Sequence, residues 1–100
     1  IVVLGHSQCG AVKAAIKHLN ERDPLPGALN SLVNLLKPAV IRAKGQSGDL
    51  LENAITANVQ IGVERLQTLD PIIAKALKQK QIKIIGAVYD LHSGRVTVIG

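Results

Sequence analysis

IVVLGHSQCGAVKAAIKHL, residues 1–19, is the stretch on which the fold turns. It opens with Ile1, Val2, Val3 and Leu4, an unbroken apolar run rich in β-branched side chains. Such a run suits a strand buried on both faces, as in a parallel sheet. Gly5 ends the run and a short polar turn follows. From Gly10 on, Ala11, Ala14, Ala15, Ile16 and Leu19 recur at helical spacing, which predicts a helix over residues 10–19.

Working outward, the same alternation continues. Residues 20–27 (NERDPLPG) carry two prolines, a glycine and local charge, and read as a loop. Residues 29–44 read as a helix with Leu29, Leu32, Val33 and Leu36 on one face. Pro38 has no amide hydrogen to donate, so it kinks this helix or starts a second one. GQSG, 45–48, breaks the pattern. Residues 49–69 form the longest helical candidate, with Leu51, Ile55, Val59, Val63 and Leu66 as its apolar stripe. Asp70-Pro71 reads as an N-cap followed by a proline at the first helical position, opening a short helix that ends at Lys78.

A second strand is expected over 82–89 (IKIIGAVY) and a third over 95–99 (RVTVI). The turn His92-Ser93-Gly94 between them favours an antiparallel hairpin. The long helical connection from the first strand to the second favours a right-handed parallel crossover. The expected fold class is α/β, one domain over 1–100. It has about three strands, a parallel pair plus an antiparallel last strand, and four or five helices.

Composition narrows the functional classes. The chain is 47% hydrophobic and 19% charged, which excludes intrinsic disorder. A single cysteine, Cys9, excludes a disulfide scaffold or a self-contained four-cysteine zinc module. No apolar run approaches the roughly 18 residues that span a bilayer. Tyr89 is the only aromatic residue, so the core must be aliphatic. The net charge is +5, but Lys75, Lys78, Lys80 and Lys83 form its densest stretch, with no arginine cluster and no aromatics to stack bases. That pattern is a solvated face, and no nucleic-acid partner is expected. A native chain seldom opens inside a buried strand, so these 100 residues are expected to be part of a longer one.

The chemistry concentrates in Gly5-His6-Ser7-Gln8-Cys9-Gly10-Ala11. Ligands of α/β sheets sit at the carboxyl ends of strands. His6 and Cys9, three residues apart, can both reach one point above the strand end. A helix N-terminus favours the thiolate, and an imidazole with a thiolate suits Zn2+. Gly10 would let the backbone pass close by without a Cβ. The same segment also nearly spells G-x-S-x-G, the nucleophile elbow of α/β-hydrolases. Ser7 would then be the nucleophile, Asp70 or Asp90 the acid and His92 the base, although Cys9 stands where the tight turn wants glycine. A plainer reading makes Cys9 a small buried hydrophobe and His6 a hydrogen-bonded side chain. His18 and His92 read as surface residues, Tyr89 as core packing and Asp90 as a turn residue.

The Gly-His-x-x-Cys-Gly-Ala stretch after a buried strand resembles the zinc site of the β-class carbonic anhydrases. Asn58-Val59 within a long helix is similar to the family's Asn-Val helix. Gly86-Ala87-Val88-Tyr89-Asp90-Leu91, then Ser93-Gly94 and Val96, is similar to its closing strand, turn and strand. The resemblance implies a partial β-carbonic-anhydrase-type fold, the carboxyl-terminal part of that domain. It implies Zn2+ as cofactor, with His6 and Cys9 as metal ligands and Gly5 and Gly10 supporting the motif. Tyr89 would be a possible neighbour of an anion pocket. The implied reaction is hydration of CO2 to bicarbonate by a hydroxide that Zn2+ generates from water. The family also uses an upstream Cys-x-Asp-x-Arg segment, which supplies another zinc cysteine and an Asp–Arg dyad. None of it lies in these residues, so the catalytic dyad is absent and little or no activity is expected of the chain alone. A homo-oligomer is implied, and an intracellular, cytoplasmic location is expected. The alternative is a non-catalytic assembly or regulatory remnant of the fold.

Overall fold

The first strand forms where β-branched residues favour extended backbone, but it runs one step past Gly5. The computed structural model describes residues 1–19 and 25–100, and there β1 spans Val2–His6. The helix α1 (Gly10–His18) follows, then α2 (Leu29–Ala43), α3 (Leu50–Gln67) and α4 (Ile72–Lys78). The strands β2 (Ile85–Tyr89) and β3 (Val96–Val98) complete the fold. The expected loop over 20–27 falls largely outside the described residues. The sheet order is β1-β2-β3, parallel between β1 and β2 and antiparallel between β2 and β3. The expected α/β class, parallel pair and closing hairpin are all present, with four helices among the described residues.

Local sequence explains most helix boundaries. Asp49 caps α3, its Oδ2 accepting from Glu52 N at 2.9 Å. Pro38 neither ends α2 nor starts another helix; α2 runs through it as one element. Asp70 is not the cap of α4, because Pro71 holds that position and no side chain caps the helix. The buried stripe of α2 is Val33, Leu36, Ala39, Val40 and Ala43, whereas Leu29 and Leu32, expected on that face, are exposed. Helices α1, α2 and α3 close over an aliphatic core that includes Val12, Ala15, Val40, Ala43, Ala54 and Ile55. Alanines at the contacts let the helix axes approach closely. Arg42 on α2 donates through both guanidinium nitrogens to Glu64 on α3, at 3.0 and 3.1 Å. That pairing raises the guanidinium pKa and lowers that of the carboxylate.

Among the described residues, a helix covers the sheet on one face only. Ideal Cβ atoms at Gly5 and Gly86 would lie 2.7 and 2.8 Å from the methyl groups of Val59, and one at Gly62 would lie 2.9 Å from Val3. Helix α3 therefore rests almost directly on the backbone of β1 and β2. On the opposite face Val2, Leu4, Val96 and Val98 are 55%, 56%, 56% and 61% exposed. The expectation that β1 is buried on both faces is thus corrected. An apolar run reports hydrophobicity on both sides of a strand but not which neighbours are present to cover them. No helix among the described residues is long and apolar enough to cross a membrane.

Candidate metal centre

A tight turn carries the chain from β1 into α1. Ser7 N donates to Tyr89 O at 2.8 Å, which extends the parallel ladder by one bond. Gln8 then adopts φ 54°, the left-handed region, reversing the chain within two residues. Cys9 occupies the N-cap position of α1, but its side chain makes no capping bond. Its carbonyl accepts from Lys13 N at 3.0 Å to start the helix. The turn brings His6 and Cys9 to one small pocket of about 130 Å3, lined also by Leu4, Gly5, Val12, Ile55 and Asn58. Cys9 is half-buried and not in a disulfide, while His6 is exposed.

The imidazole of His6 has a defined partner. Its Nδ1 lies 2.9 Å from Ser7 O. A carbonyl oxygen only accepts, so Nδ1 is the donor, and in the neutral ring this leaves the lone pair on Nε2. A metal-binding histidine commonly has its second nitrogen engaged in this way. His6 Nε2 and Cys9 Sγ, on the lining of one pocket, form a donor set that fits Zn2+. Among the described residues, no group of three or more His, Cys, Asp or Glu side chains is placed to hold a metal.

The remaining candidates have distinct places. Ser7 is not arranged as a hydrolase nucleophile. Its Oγ donates to Asp90 Oδ1 at 3.1 Å and accepts from Leu91 N at 2.9 Å, so the hydroxyl hydrogen goes to a carboxylate and not to an imidazole. Asp70 stands exposed between α3 and α4, and His92 is exposed in the β2–β3 turn. Asp90 serves that turn: its Oδ2 accepts from Ser93 N at 3.1 Å and from Ser93 Oγ at 2.6 Å. These bonds, the Ser93 hydroxyl foremost, hold the Asp90 carboxyl below its ordinary pKa. Gly10 does not allow a close backbone approach, since a Cβ there would meet nothing within 4 Å. It is simply the exposed first residue of α1. His18 is half-buried rather than a surface residue, because α1 turns that side toward the core. Tyr89 is half-buried and faces His6 across the ladder. In the sequence only the family resemblance points to Asn58. The structure gives the pair Asn58-Val59 two separate tasks, one lining the pocket and the other wedged between Gly5 and Gly86.

Comparison with known proteins bears on this geometry. The family model described as carbonic anhydrase matches residues 1–96. The chain belongs to the carbonic anhydrase family. The carbonic anhydrase of Mycolicibacterium smegmatis is 32% identical over 96 residues, covering 96% of this chain and 47% of that protein. The carbonic anhydrase of Synechococcus elongatus is 32% identical over 103 residues, covering 99% of this chain and 38% of that protein. The chain thus spans half or less of the length of these curated relatives. Among solved structures the likeness is to the β class. The β-carbonic anhydrase CcaA superposes with TM-score 0.77 at 28% identity, over 98% of this chain and 45% of that one. One of two tetrameric β-carbonic anhydrases from Sordaria macrospora shares the fold with TM-score 0.80 at 23% identity, over 100% of this chain and 51% of that one. The expected β-class resemblance and partial β-carbonic-anhydrase fold are borne out.

Proposed function

We propose that the chain carries the His–Cys portion of a zinc centre, in a β-class carbonic anhydrase that hydrates CO2 reversibly to bicarbonate. The observation that carries this reading is the turn that brings His6 and Cys9 to one pocket, with Nδ1 committed to Ser7 O and Nε2 left to coordinate. When bound, Zn2+ would supply a Lewis acid that makes water a nucleophile near neutral pH. His6 would hold it through Nε2 and Cys9 through Sγ. Val12 and Ile55, both buried, give the pocket an aliphatic wall, Leu4 lies at its exposed side, and Asn58 adds a polar group. Tyr89 would neighbour an anion such as bicarbonate, a reading supported by its register opposite His6.

Two protein donors leave a tetrahedral site half closed. We infer that a third donor and an Asp–Arg pair come from a segment outside these 100 residues, and that the working form is a homo-oligomer. The apolar open face of the sheet supports association. The 100 residues alone should retain well below one zinc per chain after dialysis, by elemental analysis, and hydrate CO2 near background in stopped flow. Adding a chain that carries the Cys-x-Asp-x-Arg half should restore hydration, and His6→Ala should remove it again. Stoichiometric zinc and fast hydration by the lone chain would refute the two-donor reading. No hydration in the reconstituted protein would favour a non-catalytic assembly role.

A further inference from the structure

We propose that Asp90, acting through Ser7, is a positioning residue for the His6 imidazole. This rests on the zinc reading for its purpose but not for its geometry. The His6 ring is oriented by one carbonyl, that of Ser7. Ser7 is in turn held at three points by the far end of the sheet. Its amide donates to Tyr89 O at 2.8 Å, its hydroxyl donates to Asp90 Oδ1 at 3.1 Å, and the same hydroxyl accepts from Leu91 N at 2.9 Å. Asp90 is itself fixed. Its Oδ2 takes both hydrogen bonds from Ser93, its N–H donates to Arg95 O at 2.8 Å, and its carbonyl accepts from Gly94 N at 2.8 Å. The line of hydrogen bonds therefore runs from the β2–β3 turn to Asp90, to Ser7 and to His6 Nδ1.

The reason such a clamp is needed lies in the next residue. Gln8 sits at φ 54°, a region costly for any residue with a side chain, and that cost favours relaxation of the turn. Relaxation would rotate the Ser7 carbonyl away from Nδ1. Free histidine prefers its hydrogen on Nε2, so an imidazole that loses this acceptor shifts toward the tautomer whose Nε2 has no lone pair to give. Asp90 thus keeps Nε2 available from a position 83 residues away in sequence from Ser7.

Nitrogen-15 NMR of the histidine rings, in metal-free protein above the imidazole titration, reads the tautomer directly. The unaltered protein should show His6 with its hydrogen on Nδ1. Ser7→Ala and Asp90→Ala should move His6 toward the Nε2–H form while far-UV circular dichroism stays native. Ser7→Thr, which keeps the hydroxyl, should restore the original pattern. In the whole zinc-binding protein the same two alanine variants should weaken zinc affinity by about 10–100-fold. Nitrogen shifts of His6 unchanged in Ser7→Ala would overturn the proposal. So would an Nε2–H tautomer in the unaltered protein, a result that stands even if a variant fails to fold. Failure of the unaltered whole protein to take up zinc would count against the zinc reading alone.

Discussion

Gly5 and Gly10 flank the same four-residue turn, yet the structure gives them opposite consequences. A methyl group on Gly5 would press into Val59 and Ile55, 2.7 and 3.3 Å away. Gly5→Ala is expected to cost about 1–3 kcal/mol, the usual penalty for overpacking, in urea denaturation. Gly10→Ala meets no neighbour and lies within a helix, so it should be neutral or stabilise by up to about 0.5–1 kcal/mol. At Asp90 the consequence appears in the pH profile. Its folded-state pKa is depressed, mainly by the Ser93 hydroxyl. Its stabilising contribution is therefore complete above the ordinary carboxylate range and is lost as pH falls through the lower folded value. Asp90→Asn should reduce the acid-side loss of stability, measured by denaturant melts from neutral pH down to pH about 2. Residue identity made His6 and Cys9 legible, because strand, turn and helix follow one another within ten residues. The Ser7–Asp90 bond was not legible, because it depends on the parallel register of distant strands. Once His6 is paired with Tyr89, the next residue on each strand must meet the other.

At the scale of elements, periodicity served best where a helix is long and lies against the sheet. The α3 stripe was read correctly at Ile55 and Val59, which are buried. In α2 the expected face holds at Val33 and Leu36, which are buried and continue into Ala39, Val40 and Ala43, but not at Leu29 and Leu32 in the first turn, which are exposed. Periodicity marks the face of the helix, but how far along it a partner lies to cover that face is not in the pattern. The start of α3 depends on one side chain. Asp49→Ala removes the acceptor of Glu52 N and should lower stability by about 1 kcal/mol, whereas Asp49→Ser should retain most of it. Thermal melts of the two variants side by side would check this, and equal losses would show that the cap is inert.

For the whole molecule, the sheet keeps one uncovered apolar face among the described residues. β1 pairs only with β2, so its other edge is open among the described residues, and Val2, Leu4, Val96 and Val98 share an exposed face. Open edges and apolar patches recruit partners. The 100 residues purified alone should sediment as a dimer or larger species, and Leu4→Lys with Val98→Lys should shift them toward monomer. A clean monomer of the unaltered chain at high concentration would contradict this. The α/β class could be read from the order of elements, but the number of covering layers could not, since that depends on what lies against the second face.

The parallel pairing of β1 with β2 also sets the order of events when the chain is made. β1 is synthesised well before its ladder partner, the strand from Ile85 to Tyr89. At roughly 5–20 residues per second, several seconds separate the two. During that interval α1, α2 and α3 can gather locally, while β1 has yet to meet β2. Contacts so distant in sequence are paid for in loop entropy and form slowly. The pocket beside His6 and Cys9 is walled by β1, α1 and α3, so it can be assembled before β2 arrives. The Asp90 link to Ser7 cannot. His6 and Cys9 can therefore come together before β2 arrives, whereas the bond from Ser7 to Asp90 forms only once β2 is in place.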